Sequence, residues 1–520
     1  MIGLILIFCV LCLVLLKYKK NQNKHELPPT STEYDPTKSL WMRRLWNTTS
    51  KTHPLPPAFP GALPIIGHLH KGISLSSNLL NFLQIVSDDC VKQGGVTVLN
   101  LGPELHYIIT DPQDAALAAK SCLRRHYLMD FAKVWQGNSI TTSSGETWTN
   151  HRKLLSPAFS LPVIHSFLDV FNSQAKKLID ELEPFVGKGP FDHGSYFVTN
   201  NFETLCAGTF GIENAISKNL GATYISAAYG MVDLLKAKAF KVWLQIDLIY
   251  KLVGLKKKEE QLVENLHSLA KTVIQKKKLA RENEALSNNV KSPTSGLRYK
   301  GFLDLLMDLS ADGALTEIEV RDQIEAILTT GFETTATQLT FTLLLLGAHP
   351  EIQEKMVKEL EAVLGPDRDV GKDDLNKLVY TNAVIMESVR LFPTIPIILR
   401  CVDQDVKLKN FTMNAGSYCI LFPLIPNIAA RELKEDQFRP ERWLEDDFNG
   451  HQDFAGFGLG KRGCLGKTYA IIAMKVLLAN FMRQYRVRAD MSQLQLSADF
   501  VLKPVSGHEI SIERRHSTAL

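Results

Sequence analysis

The sequence predicts a mainly α-helical protein with a small β lobe. Residues 160–300 read as helical throughout, and the longest helix begins at Thr316, where Glu319 completes a capping box. Two short segments rich in β-forming residues, 96–110 and 500–513, are typical of hairpins. Since 45% of the 520 residues are apolar, the chain can bury a sizeable core.

Charge and cysteine content exclude some classes of function. The net charge of +4 is too small to indicate nucleic acid as a partner. The eight cysteines are scattered along the chain, without the dense spacing of a disulfide framework, which fits a reducing compartment.

The N-terminus predicts a membrane anchor over residues 1–20. Met1 to Leu16 is almost wholly apolar, and Lys17-Tyr18-Lys19-Lys20 follows at once. A helix of this length spans about 24 Å, slightly short of a ~30 Å hydrocarbon core, and the flanking lysine and tyrosine side chains extend its reach. No basic residue precedes the apolar run and no cleavage site follows it, which favours a retained anchor over a cleaved signal peptide. The lysines place the rest of the chain in the cytosol.

Residues 21–64 are predicted to form a linker and a proline-rich hinge. The segment is polar up to residue 53, and the stretch from Pro54 to Pro64 contains prolines that exclude a helix and favour a stiff, extended chain. The remaining residues, 65–520, make up the main domain.

A glycine-rich loop at 454–470 contains the residues that indicate a function. Cys464 is surrounded by four glycines, so the backbone can turn tightly and lie close to a flat ligand. Arg462 supplies a fork of donors suited to a carboxylate, and a helix starting near Thr468 would stabilise a thiolate. A lone loop cysteine is more often structural. Neither a histidine partner for a nucleophile nor the further cysteines of a zinc site lie nearby.

The order Phe457-x-x-Gly460-x-Arg462-x-Cys464-x-Gly466 resembles the haem-binding loop of the cytochrome P-450 monooxygenases. This resemblance implies the P-450 fold, with haem b between the longest helix and the loop and the Cys464 thiolate as the axial iron ligand. Phe457, Arg462 and Gly466 would be further cofactor-binding residues. The resemblance runs from about residue 54 to the end, and four more family motifs occur in the family's order.

Two arginines outside the loop are also expected to bind the cofactor. Trp148 and Arg152 resemble the family's W-x-x-x-R, and this spacing lets both side chains reach one acidic group, which the resemblance identifies as a haem propionate. An ordinary cation–π pair is the alternative. Arg400, which ends the segment beginning at Pro393, is expected to reach a propionate too.

The middle of the longest helix contains the expected catalytic residues. Gly331 costs about 1 kcal/mol inside a helix, and the hydroxyls of Thr334 and Thr335 can bond back to carbonyls and bend the axis. The stretch resembles the family's oxygen-binding motif. The resemblance implies that Thr334 donates a hydrogen bond to dioxygen and that Glu333 is its acidic neighbour in proton delivery. Alone, the pattern would indicate only a helix irregularity.

A structural triad is expected from Glu387, Arg390 and Arg442. The first two resemble the family's E-x-x-R, and Pro440-Glu-Arg442-Trp resembles the loop that meets it. On a helix surface such a pair would be worth only a few tenths of a kcal/mol.

The substrate pocket is expected from the family's arrangement. The bulky apolar stretch 126–135, ending at Trp135, corresponds to the roof of the pocket. The other expected pocket residues are Thr330, Ile395, Ile397 and Val505. A further apolar cluster at 240–250 is flanked by lysines, and it is read either as a membrane-touching substrate entrance or as core packing.

The resemblance implies a haem-thiolate monooxygenase, most like the microsomal fatty-acid ω-hydroxylase clan with its insect members. The clan's usual glutamate before the helix glycine is Thr330 here, its aspartate is Glu333 and a usual histidine is Asn427. No covalent haem link is therefore expected. We predict a lipophilic, long-chain substrate (a fatty acid, hydrocarbon, pheromone-like molecule or terpenoid) that is hydroxylated or epoxidised.

The expected partners follow from the same resemblance. Electrons would come from NADPH-cytochrome P-450 reductase or cytochrome b5, with Lys153, Lys461 and Lys467 as a docking face, at the endoplasmic reticulum membrane. Two alternatives stay open: an isomerase or lyase that rearranges peroxides without outside electrons, and a non-catalytic haem-thiolate sensor. Thr334 beside Glu333 argues against the first.

Overall fold

A computed structural model describes residues 52–64, 66–74, 79–212, 214–287, 301–422, 438–445, 455–498 and 500–515. The predicted anchor, the linker up to residue 51 and Asn427 lie outside these ranges. Among the described helices, none combines the length and apolar character needed to span a bilayer. Around Ala58 the proline-rich segment runs beside the first strand, where the Pro57 carbonyl accepts a hydrogen bond from the Val98 N–H.

Helices make up most of the described residues, which confirms the mainly α prediction. In chain order they are α1 (Leu69–Ser74), α2 (Leu79–Lys92), α3 (Pro112–Ser121), α4 (Lys133–Gln136), α5 (Gly145–Leu155), α6 (Leu161–His165), α7 (Leu168–Leu182), α8 (Gly194–Phe210), α9 (Asn214–Phe240), α10 (Asp247–Leu252), α11 (Leu255–Ser287), α12 (Phe302–Ala311), α13 (Glu317–Ala348), α14 (Pro350–Leu364), α15 (Val379–Leu391) and α16 (Lys467–Gln484).

The β lobe consists of short strands. They are β1 (Val96–Leu101), β2 (Glu104–Ile109), β3 (Ile398–Cys401), β4 (Val406–Lys407), β5 (Thr412–Met413), β6 (Tyr418–Leu421), β7 (Tyr485–Ala489), β8 (Gln495–Ala498), β9 (Leu502–Ser506) and β10 (Ile510–Arg514). The largest described sheet has the order β1-β2-β6-β3. Its β1 and β2 pair antiparallel, with Val96 opposite Ile109, so the hairpin predicted at 96–110 is confirmed.

The hairpin predicted at 500–513 is wrong. Strands β9 and β10 do not pair with each other: β9 pairs with β8, and β10 pairs with β7. Both strands form antiparallel ladders with the chain that precedes them. The residue pattern of a segment predicts that it forms a strand, but it does not predict which other strand it pairs with.

Helix α13 begins where the sequence predicts. The Thr316 hydroxyl accepts from the Glu319 N–H, and the Glu319 carboxylate accepts from the Thr316 N–H at 2.8 Å. At Gly331 the helix lies close to α8, since a Cβ there would come within 2.8 Å of the Leu205 side chain. From α8, the Asn201 amide donates to the carbonyls of Gly331 and Phe332. The glycine therefore permits the close approach of two core helices.

A buried carboxylate joins α15 to the segment 438–445. Glu387 is fully buried and accepts from Arg390 Nε and Nη2, each at 2.8 Å, from Arg442 Nε at 2.9 Å and from Trp443 Nε1 at 2.9 Å. The structure thus brings the predicted triad together and adds Trp443. Trp443 packs with Ala383 and Met386 in a small cluster that also contacts Phe457, so the triad supports the cysteine loop.

We expect Glu387→Ala to lower the free energy of unfolding by ~3–5 kcal/mol, because it leaves two guanidinium groups without their buried partner. Urea unfolding followed by circular dichroism measures this loss. The matched control is Glu445→Ala in the same segment, whose exposed pair with Arg439 at 3.0 Å should be worth less than ~1 kcal/mol. Equal losses in the two variants would contradict this assignment.

Candidate functional site

The cysteine loop places Cys464 three residues before Lys467, the first residue of helix α16. The Cys464 N–H donates to the Phe457 carbonyl at 2.7 Å, which closes the loop on itself. Gly460 has φ 64, and a Cβ on it would come within 3.0 Å of the Ala119 carbonyl oxygen at the end of α3. The loop can therefore pack against α3 in this way only with glycine at position 460. The Cys464 side chain is exposed.

Opposing effects act on the Cys464 thiol. The surrounding protein displaces enough water to raise its pKa, which disfavours the thiolate. The Gly466 N–H and the positive charges of Arg152 and Lys467 lower that pKa in opposition. The site is thus equipped with donors that stabilise a sulfur anion.

Helix α5 docks onto the cysteine loop through the predicted Trp148 and Arg152. Arg152 Nη1 donates to the Gly463 carbonyl at 2.9 Å. The Arg462 guanidinium stacks over the Trp148 ring, 3.9 Å from its centroid. Its Nε and Nη2 donate to the carbonyls of Leu123 and Ser143, each at 2.9 Å. The backbone thereby fixes the orientation of Arg462.

Three arginines lie together beside this loop; Arg400 and Arg462 are buried and Arg125 is half-buried. Arg125 pairs through its backbone with Arg400 on β3, and the charges of Arg400 and Arg462 both act on Arg125. Arg125 Nε, Arg400 Nε and Arg462 Nη1 have no hydrogen-bond partner within the described residues. Nor do those residues supply an ion pair to any of the three side chains.

The burial of these cations is costly. Burial, and then the charges of Arg400 and Arg462, hold the pKa of Arg125 well below its ordinary value. Burial and the neighbouring Arg400 and Arg152 lower the pKa of Arg462 to about 9. Guanidinium groups do not deprotonate in proteins, and a bound anion would offset this cost. The cluster, which we call the arginine cluster (Arg125, Arg400 and Arg462), is therefore a candidate anion site.

Sequence reasoning missed Arg125. It follows Arg124 directly, and the pattern gives no sign of which arginine is buried. Arg124 is half exposed and lies 3.6 Å from Asp403. Only the pairing of Arg125 with Arg400 across the fold distinguishes the two.

The expected catalytic residues lie on one stretch of α13. Thr334 is half-buried, and its hydroxyl donates to the Thr330 carbonyl at 2.7 Å, as the sequence predicts for such a threonine. Thr330 is exposed, and its own hydroxyl donates to the Ala326 carbonyl at 2.7 Å. Glu333 is half-buried and close enough to Tyr229 of α9 for its charge to raise the tyrosine pKa, after the larger effect of burial.

The segments that contain the other expected pocket residues are connected to α13 through Thr394. The Thr394 hydroxyl reaches the Thr334 carbonyl at 3.5 Å, and the Thr394 carbonyl accepts from the Leu502 N–H at 2.8 Å. Ile395 and Ile397 directly follow Thr394 in sequence, and Val505 belongs to the strand that Leu502 begins. Ile395 and Val505 are 44% and 52% exposed, and Ile397 is half-buried.

Trp135 is placed differently from its expected position in the pocket lining. Its side chain is 1% exposed, and its indole N–H donates to Glu325 on α13 at 2.8 Å. Trp135 is therefore packed in the core and bonded to α13.

The apolar cluster at 240–250 is partly core packing and partly exposed surface. Leu244 and Tyr250 are buried, which is core packing. Leu248 and Leu252 of α10 are 67% and 76% exposed, together with Val253. One face of α10 is therefore an exposed apolar surface.

Comparisons with known proteins agree with this geometry. A sequence profile described as Cytochrome P450 matches residues 56–510. The chain is 29% identical to Cytochrome P450 4V2 of Mus musculus, over 88% of this chain and 90% of the relative. It is 27% identical to Cytochrome P450 4c3 (88% and 89% covered) and to Cytochrome P450 4g15 (93% and 96% covered), both of Drosophila melanogaster.

The residues present fit a haem. The loop offers a single thiol as an iron ligand, and the arginine cluster offers unpaired, buried N–H groups to carboxylates such as the two haem propionates. The described residues contain no group of three or more His, Cys, Asp or Glu side chains that could hold a metal ion by themselves.

We expect Arg125→Leu to weaken haem binding by roughly tenfold, because a hydrogen bond to a charged group contributes about 1.5–3 kcal/mol. Bound haem per purified chain and the rate of haem transfer to apomyoglobin measure the effect. Arg124→Leu is the matched control, since its side chain is half exposed and pairs with Asp403. If both variants retained haem equally, the arginine cluster would not be a propionate site.

Proposed function

Because the chain belongs to the cytochrome P450 family, whose members are monooxygenases that hold haem through a cysteine thiolate, we propose that Cys464 ligates the iron and that the protein oxidises a lipophilic, long-chain substrate. The observation that carries this proposal is the arginine cluster beside the exposed sulfur of Cys464. When bound, a haem with a thiolate ligand supplies electron density that favours cleavage of the O–O bond.

The cofactor-binding residues would each have a distinct task. Cys464 would hold the iron, while the Gly466 N–H and the charge of Arg152 favour its anionic form. Arg400 and Arg462 would hold the propionates together with Arg125. Trp148 keeps the Arg462 guanidinium flat against its ring, and Phe457 connects the loop to the cluster around Trp443.

Thr334 and Glu333 would supply protons to the oxidation reaction. The Thr334 hydroxyl donates to the Thr330 carbonyl, and a rotation about its χ1 would redirect that proton towards dioxygen. Glu333 is the adjacent acid, and it lies near the Tyr229 hydroxyl on α9. A carboxyl group next to a hydroxyl donor can restore the proton that the donor gives up.

The apolar character of the surrounding side chains supports a lipophilic substrate. Ile395 and Val505 expose large apolar surfaces; Ile395 follows Thr394, which contacts Thr334, and Val505 lies on the strand whose Leu502 N–H bonds the Thr394 carbonyl. Thr330 has no acidic group, so no ester to the cofactor is expected at this position. We therefore propose hydroxylation or epoxidation of a fatty acid, hydrocarbon, pheromone-like molecule or terpenoid, without strict selectivity for a terminal methyl group.

Two surfaces support the proposed partners. Lys153, Lys461 and Lys467 are exposed around the cysteine loop and α5, where an acidic face of NADPH-cytochrome P450 reductase or cytochrome b5 could dock. The exposed leucines of α10 suit contact with a lipid surface. With an anchor at residues 1–20, these features support a place at the endoplasmic reticulum membrane with the catalytic domain in the cytosol.

We expect the reconstituted protein, with reductase and NADPH, to convert at least one lipid to an alcohol or epoxide that contains one atom from ¹⁸O₂. Mass spectrometry after incubation with saturated and unsaturated fatty acids, fatty alcohols, hydrocarbons and terpenoids measures this. Thr334→Ala should reduce product formed per NADPH by roughly tenfold or more, because the proton donor is lost. Thr340→Ala on the same helix is the control.

Failure of the whole panel would contradict the proposed substrate class. NADPH-independent turnover of a lipid hydroperoxide would instead indicate a peroxide isomerase or lyase.

A further inference from the structure

We propose that Glu325 is a positioning residue of the oxidation site, whose buried carboxylate joins α4 and α9 to the long helix α13 and so fixes the protein wall beside Glu333 and Thr334. This inference rests on the proposed function and adds a residue that does not itself touch the cofactor or the substrate. We refer to Glu325, Trp135 and Tyr224 as the carboxylate latch.

One oxygen of Glu325 holds two separate elements. Its Oε2 accepts from the Trp135 indole N–H at 2.8 Å and from the Tyr224 hydroxyl at 3.0 Å. All three side chains are essentially inaccessible to solvent. Trp135 belongs to α4 and Tyr224 to α9. Without this oxygen the indole N–H would lose its acceptor on α13, and the Tyr224 hydroxyl would keep only Thr329 there. A buried donor without an acceptor costs about 1–3 kcal/mol.

Further hydrogen bonds extend the latch to a fourth helix. The Thr329 hydroxyl donates to the Glu325 carbonyl at 2.7 Å and lies 3.3 Å from the Tyr224 hydroxyl. From α11, His267 Nε2 lies 2.8 Å from the Trp135 carbonyl oxygen. The latch is therefore where α4, α9, α11 and α13 converge.

The latch lies next to the proposed oxidation site. Glu325 precedes Thr330 by five residues and Thr334 by nine, which is roughly 7.5 Å and 13.5 Å along a helix axis. Helix α9 continues from Tyr224 to Tyr229. The Tyr229 ring packs edge-on against Phe332, with 6.4 Å between the ring centroids, and the charge of Glu333 helps to raise the Tyr229 pKa. A shift of α9 at Tyr224 would therefore move the wall at Glu333.

If Glu325 served only to fill space in the core, a carboxyl group there would be an unfavourable choice. The Oε1 atom of Glu325 has no hydrogen-bond partner within the described residues. Burial raises the Glu325 pKa to about 7, against the lowering effect of the bonds from Trp135 and Tyr224. A leucine or an amide would fill the same space at a lower desolvation cost. What the carboxylate adds is a charged oxygen, a stronger acceptor than an amide oxygen, that orients two donors from different elements.

The same seam contains contacts that would survive the loss of the latch. Asp322 Oδ2 accepts from the Asn138 N–H at 3.2 Å, and Gln323 Oε1 accepts from the Ile140 N–H at 2.9 Å. These bonds hold the segment after α4 to α13 independently of Glu325. Variants at Glu325 should therefore fold and retain haem.

The test uses the full chain with its haem and compares Glu325→Leu, Glu325→Gln, Trp135→Phe and Tyr224→Phe. The reduced carbon-monoxide spectrum checks the haem and its thiolate, separately from the latch. The readouts are the rate of carbon-monoxide rebinding after flash photolysis, the association rate of 4-phenylimidazole and the distribution of oxidised positions in the product. Glu317→Gln is the control, because Glu317 is exposed on the same helix and pairs with Lys278.

We expect Glu325→Leu to accelerate rebinding and 4-phenylimidazole association by about fivefold or more and to broaden the product distribution, with Glu325→Gln intermediate. Trp135→Phe and Tyr224→Phe should change both rates and the product distribution in the same direction. Combining either with Glu325→Leu should change them little further, because the three side chains act as a unit.

Two results would overturn the inference. One is a set of Glu325 variants that lose thermal stability while both rates and the product distribution stay as in the unmodified protein, since the residue would then be only structural. The other is full additivity of the three substitutions. A missing thiolate signature in the unmodified protein would defeat the proposed function itself, and the inference with it.

Discussion

The structure depends on the burial of positive charge beside a single sulfur. Arg125, Arg400 and Arg462 are packed together with N–H groups that no described protein atom accepts, next to a loop that presents Cys464. Such an arrangement is unfavourable unless an anion joins it. The backbone nevertheless fixes Arg462 in place through the carbonyls of Leu123 and Ser143, as a preformed anion site requires.

Helix α13 connects this cofactor region to the rest of the domain, and its sides have different tasks. At Gly331 it meets α8 closely, and Asn201 binds its backbone there. Near the same level Thr330, Glu333 and Thr334 face the segments with Thr394 and Tyr229. One and a half turns earlier, Glu325 holds α4 and α9. A rigid helix can thus keep the proposed cofactor site, the proposed proton donors and the surrounding wall in register.

The sequence predicted the features that contiguous residues determine. The capping box at Thr316, the hairpin at 96–110 and the glycine loop before α16 all depend on neighbours along the chain, and each is present. Contacts across the fold could not be predicted in this way. Trp135 and Glu325 are separated by 190 positions, and the partners of β9 and β10 depend on how distant strands assemble. The burial of Arg125 rather than Arg124 has the same origin.

The central claim is that the Cys464 sulfur ligates a haem iron, and the optical spectrum of the purified, reduced, carbon-monoxide-treated protein tests it most directly. The account predicts absorption at the wavelength that marks thiolate ligation, its loss in Cys464→Ala and its retention in Cys90→Ala, since Cys90 is buried in the core and bonds the Ile108 carbonyl. An unmodified protein without this absorption, or an unchanged spectrum in Cys464→Ala, would contradict it.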